Sequence, residues 1–196
     1  MSKGEQTKTR LVTKTADLIA EQGYHATGLN QITQESGAPI GSLYYHFRGG
    51  KDQLVVAAMQ AGGDAIEAAL NAAFASTNDP VLALRTVIGL LGAQLEASAY
   101  THGCPIATVT LEAAARNDTI QAVAQSVYRG WQAQIADYLV RVGVSEPQAS
   151  SIALFSLTVI EGGLLLSRAE RSLTPLQHAG EQLIRYINDQ IGQAHD

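Results

Sequence analysis

Apolar residues recur at helical spacing along most of this 196-residue chain, and no two-residue alternation competes with that pattern. Between Arg10 and Gln22, Leu11, Val12, Ala16, Leu18 and Ile19 fall on one arc, with Arg10, Lys14, Asp17 and Glu21 opposite. That is the pattern of an amphipathic helix. Gly23 ends it, and Thr27 is placed to cap a short second helix that turns Leu29 and Ile32 inward. Gly37-Ala38-Pro39 then forces a turn. Pro39 suits the first turn of a third helix, where its missing N–H costs nothing, and that helix runs to about Phe47 with Leu43 and Phe47 inward.

After Gly49-Gly50, the string Lys51-Asp52-Gln53-Leu54 opens a long alanine-rich helix reaching about Phe74. Further helices are predicted at about 80–98, 104–115, 118–142, 146–168 and 174–191, separated by breaker residues. Composition agrees: apolar residues make up 46% of the chain and aromatics only 6%, so the core must be built from Ala, Leu, Ile and Val. The expected fold is all-α. We expect a three-helix domain over residues 5–65 and a larger helical domain over 66–196, joined by the continuous helix after Lys51.

Charge is distributed unevenly along the chain. The net charge is −5, yet residues 1–51 carry six basic and four acidic side chains, a net of +2 that leaves −7 for the rest. Such asymmetry fits a small anion-binding part carried by an acidic body. The single cysteine, Cys104, excludes an internal disulfide framework, and no secretory leader precedes the first helix, so the cytoplasm is the expected compartment. The most apolar stretch, Ile152 to Leu166, is short for a membrane span and contains Glu161, so no membrane partner is expected. No paired carboxylates, metal-spaced His/Cys cluster, phosphate loop or nucleophile elbow stands out. No catalytic residue, bound metal or cofactor is expected.

Thr27 to Phe47 contains two short helices around a glycine-containing turn, the geometry that braces one helix in a DNA major groove. The string Gly41-Ser42-Leu43-Tyr44-Tyr45-His46-Phe47, followed by Lys51 and Leu54, resembles the recognition-helix signature of TetR-family regulators. The resemblance extends through Gly23-Tyr24 and Ile32. Gly37-Ala38-Pro39, His46 to Lys51, Gly103-Cys104-Pro105, Leu111-Glu112-Ala113 and Ile160-Glu161-Gly162 are similar to the LmrA/YxaF branch of that family.

Read physically, Gly41 allows close backbone approach to a groove, Ser42 can bond a base edge, and Tyr45, His46 and Lys51 can meet phosphate oxygens. The resemblance adds Asn30, Ile40 and Tyr44 at positions that approach bases or backbone, and Thr27 as a phosphate-contacting hydroxyl. Branch members commonly carry a basic residue where this chain has Ile40, so Ile40 has two readings, contact with a thymine methyl or simple packing. Tyr44 likewise could be a core residue with a satisfied hydroxyl.

The larger domain is expected to bind an apolar or aromatic small-molecule effector, with Cys104, Tyr128, Trp131, Phe155 and Glu161 as pocket candidates. Cys104 opens a predicted helix, where amide protons activate a thiol; the NemR-like regulators with Gly-Cys at this place sense electrophiles, but no lysine follows Lys51 here to partner it. The resemblance further implies a homodimer, its last two long helices pairing with their symmetry mates across Ala153, Ser156, Gly162 and Gly163. The resulting expectation is a repressor that reads a palindromic double-stranded DNA operator and releases it on binding effector.

Overall fold

A computed structural model describes residues 2–193; Met1 and residues 194–196, the latter within the expected second domain, lie outside the described residues. The helices are α1 (Lys3–Ala26), α2 (Leu29–Ser36), α3 (Ile40–His46), α4 (Gly50–Ser76), α5 (Pro80–Ala97), α6 (Pro105–Val109), α7 (Asp118–Arg141), α8 (Glu146–Glu170) and α9 (Thr174–Gln193). A π-helical turn, Thr110–Ala114, follows α6 directly. The described residues contain no strand.

The chain divides into two compact units: Met1–Ala65 with Cys104–Val127, and Ile66–Gly103 with Tyr128–Asp196. This differs from the expected domains in one respect. Residues 104–127 group with the amino-terminal helices: α6 packs on α1, side-chain carbons at Gly62 and Gly63 of α4 would meet Pro105 and Val127, and Ile106, Val109, Ile120 and Ala124 are buried.

In the first unit, α1 starts at Lys3 and not near Arg10, because Ser2 and Glu5 form a reciprocal capping box. Gly23 kinks α1 with φ +80°, and a side-chain carbon there would lie 1.9 Å from Glu112 Oε1, so only glycine fits. Thr27 closes α1 and does not cap α2: the α2 N-cap is Gly28, with no side-chain cap. Pro39 sits one place earlier than expected, as the N-cap of α3. Leu11, Leu18, Ile32, Ala38, Leu43, Phe47 and Leu54 form the core that holds α2 and α3. The helix expected at 104–115 is split, its second half being the π turn.

In the second unit, Leu84, Ile135, Leu139, Ile152, Leu183 and Ile187 form the core. Helices α8 and α9 approach closely at Gly163, where a side-chain carbon would lie 3.2 Å from the Leu176 backbone, and Ser167 Oγ accepts the Leu176 N–H at 3.0 Å. Helices α5 and α8 are long and apolar enough to cross a membrane by length and composition, more so than the stretch Ile152 to Leu166 suggested. The inward face of α8 is spent on packing: Ala149, Ile152, Ala153, Ser156, Gly163 and Ser167 are buried. Its outward face carries Leu154, Phe155, Leu165 and Leu166, all exposed.

Candidate functional site

Two buried residues orient α3. Leu43 and Phe47 are buried in the first-unit core, which turns the opposite face outward. Ile40 is 45% exposed, Tyr44 51% and Tyr45 76%, so neither Ile40 nor Tyr44 is a core residue. Gly41 is also exposed and Ser42 half-buried. The turn that presents them is held by the left-handed Gly37, whose N–H bonds the carbonyls of Thr33 and Gln34, and by Ala38 N–H to the Thr33 carbonyl at 3.1 Å. Asn30 is exposed on the first turn of α2, and His46 is half-buried, its ring edge-on to Tyr45 at 5.0 Å.

Thr27 does not join this face. It is fully buried, and its hydroxyl donates to the Gly23 carbonyl at 2.7 Å. The resemblance identified a hydroxyl at this position, but here the α1 kink consumes it.

Lys51 lies in the first turn of α4, half-buried, its Nζ 4.3 Å over the Tyr24 ring centroid. Burial lowers the ammonium's pKa below its usual value, against the opposing pull of Asp52 and Glu112. Tyr24 donates its hydroxyl to Asp52 Oδ1. Burial, then the bond to Asp52, pushes the phenol up to about 12. Lys14 is engaged elsewhere, with Asp17 at 3.7 Å and Glu35 at 3.5 Å, whereas Arg48 is exposed in the turn after α3. Counted over the whole first unit, seven basic residues face eight acidic ones. The positive bias therefore belongs to residues 1–51, while Asp52, Glu112 and Asp118 lie beyond that stretch.

The expected effector residues are scattered. Cys104 belongs to the first unit, as the half-buried N-cap of the five-residue α6; Tyr128, Trp131, Phe155 and Glu161 belong to the second. Three of these meet: the Tyr128 hydroxyl donates to Glu161 Oε1 at 3.3 Å, and its ring stands edge-on to buried Trp131 at 5.4 Å. Phe155 stands apart from them, 45% exposed on the outward face of α8 and edge-on to Tyr186 of α9 at 5.1 Å.

A cavity of about 30 Å³ does lie within the second unit, walled by Leu70, Phe74, Val87, Ile135, Tyr138, Ser156, Ile160 and others. None of the five expected residues lines it. Its two polar groups are satisfied, Ser156 Oγ by the Ile152 carbonyl at 2.8 Å and the Tyr138 hydroxyl by the Thr77 carbonyl at 3.2 Å. Trp131, Ile135 and Tyr138 share a face of α7, and that spacing is a sequence signal that could have pointed from Trp131 to this cavity.

The small residues expected at a dimer seam also divide. Ala153, Ser156 and Gly163 are buried within the chain, and only Gly162 has open space where a side chain would begin.

Comparison with known proteins gives these geometries their context. Residues 11–58 match the bacterial regulatory proteins of the tetR family, and residues 80–182 match the LmrA/YxaF-like transcriptional regulator C-terminal domain. The HTH-type transcriptional regulator YxaF of Bacillus subtilis (strain 168) is 33% identical over 182 residues, covering 93% of this chain and 95% of that one. LmrA of the same organism is 32% identical over 178 residues, covering 91% and 94%. Among solved structures, the regulatory protein TetR from Rhodobacter sphaeroides superposes with a TM-score of 0.82 at 23% identity, covering 90% of this chain and 96% of that one. A TetR-family regulator from Agrobacterium tumefaciens also reaches 0.82, at 20% identity and 93% and 98% coverage, so the fold is shared well beyond sequence similarity. The chain therefore belongs to the TetR family of DNA-binding transcriptional regulators, within its LmrA/YxaF-like branch.

Proposed function

We propose that this regulator is a cytoplasmic, homodimeric repressor that binds a palindromic operator and is released by a small apolar or aromatic effector. The observation that carries the reading is the outward face of α3, where Ile40, Gly41, Tyr44 and Tyr45 are held out of the core by buried Leu43 and Phe47. Ser42 and Gly41 face base edges, Ile40 and Tyr44 add apolar contact, and Tyr45, His46, Asn30 and Lys51 contact the phosphate backbone.

A seven-residue helix reads too few base pairs alone, so two copies are required. The exposed stripe Leu154, Phe155, Leu165 and Leu166 on α8 supports pairing through that helix. The apolar cavity of about 30 Å³ supports an apolar effector, and since it holds roughly one water, the effector enters by widening it.

Footprinting on an inverted-repeat duplex selected from a random pool tests the reading. Two protected half-sites about one helical turn apart are expected, with a dimer in sedimentation whether or not reductant is present. A monomer protecting a single half-site overturns it.

A further inference from the structure

Lys51 and Asp52 open α4, yet the helix-turn-helix does not hold them unaided. Asn117 immediately precedes α7, in the segment that packs with the DNA-binding helices although it is far from them in sequence. Its Oδ1 accepts the Ile120 N–H at 3.1 Å, capping the first turn of α7, and its Nδ2 donates to Asp52 Oδ2 at 2.8 Å. The other Asp52 oxygen takes the Tyr24 hydroxyl, and the Tyr24 ring lies under the Lys51 ammonium. Asn117 thus reaches Lys51 through three contacts, from amide to carboxylate, carboxylate to phenol, and ring to cation.

Each link has fixed geometry. The amide is locked at its far end by the cap, so its N–H can point only one way, and a carboxylate held by two donors cannot rotate. A second strap joins the same end of α1: Glu112 Oε2, on the π turn, accepts the His25 N–H at 2.8 Å, and its carboxylate fills the space beside Gly23. Both straps come from outside residues 11–58, the stretch that matches the family's DNA-binding part.

We propose that Asn117 is a positioning residue for DNA binding: it fixes the Tyr24–Asp52 pair and through it aims Lys51 at the phosphate backbone. The proposal rests on the reading of Lys51 as a phosphate contact. It makes the segment 104–127 part of the DNA-binding machinery, so that a shift of this segment alters the grip on DNA with α2 and α3 unchanged.

The test uses the full-length protein as wild type, Lys51→Ala, Asn117→Ser and the double variant, on a fluorescent duplex selected by the wild type from a random pool, over a salt series. Serine keeps an N-capping oxygen for α7 and adds no charge, but it is too short to donate to Asp52; Asn117→Thr serves equally if the serine variant is not helical by circular dichroism. Lys51→Ala should lower the slope of log affinity against log salt by about one. Asn117→Ser should lower it by a similar amount and weaken binding roughly 3- to 10-fold, and the double variant should bind no worse than Lys51→Ala.

If Asn117→Ser leaves binding unchanged, or weakens it with the slope intact and additively with Lys51→Ala, the positioning role is wrong and Lys51 keeps its own. If Lys51→Ala leaves the slope unchanged, the phosphate reading of Lys51 falls and takes the proposal with it.

Discussion

At the scale of single residues, exposure and hydrogen bonding separate side chains that look equivalent in sequence. Thr27 and Ser42 are both hydroxyls near the helix-turn-helix, but Thr27 is buried and committed to the Gly23 carbonyl. Thr27→Val should therefore lower stability by about 1 kcal/mol in urea titration while leaving the salt dependence of DNA binding unchanged; a lowered salt slope would restore the phosphate contact. Tyr24 offers a spectroscopic handle. Its folded pKa of about 12 lies above the ordinary value of 10.0, so the folded state holds the proton more tightly. The stabilisation is complete below pH 10 and is lost as pH rises through 10 to 12. Ultraviolet titration should show a tyrosine ionising near 12 that disappears in Tyr24→Phe, and the stability of that variant should fall less steeply over this window.

Elements take their roles from which face is already occupied. Helix α8 illustrates this because both its faces are apolar: Ile152, Ala153, Ser156 and Gly163 serve the interior, and Leu154, Phe155, Leu165 and Leu166 remain outside. Gly163 faces inward because α9 approaches it at backbone distance. Leu165, 61% exposed, is a point where charge would disrupt a partner and not the fold. Leu165→Arg should keep full helicity by circular dichroism and shift sedimentation toward monomer, with a loss of about 2 kcal/mol or more in dimer affinity. A variant that stayed dimeric at every accessible concentration would place the seam elsewhere.

For the whole molecule, the two compact units are not two consecutive pieces of chain. The first unit borrows residues 104–127, and buried Ile106, Val109 and Ile120 are its debt to the middle of the sequence. A fragment of residues 1–65 lacks these side chains as well as Asn117 and Glu112. It should melt at a lower temperature and less cooperatively than the full chain, followed by circular dichroism. A fragment as stable as the intact protein would mean that Leu11, Leu18, Ile32, Leu43, Phe47 and Leu54 suffice for the DNA-binding part.

Local chemistry written in consecutive residues was legible without coordinates. Helical spacing located the helices, Gly37-Ala38-Pro39 marked the turn before α3, and the run from Gly41 to Phe47 carried both the inward anchors and the outward face, because a helix relates residues three and four apart. The capping box at Ser2 and Glu5 is equally readable in sequence but lies ahead of the apolar pattern that begins at Leu11. What the tertiary structure alone decided depends on residues far apart in the chain. Glu112 against Gly23, Asn117 on Asp52, and a cavity walled by residues from Leu70 to Ile187 have no periodicity linking their partners. On helices apolar all round, such as α8, spacing cannot tell which face meets the chain's own core; only packing shows that Ala153 is buried within the chain and Phe155 is exposed.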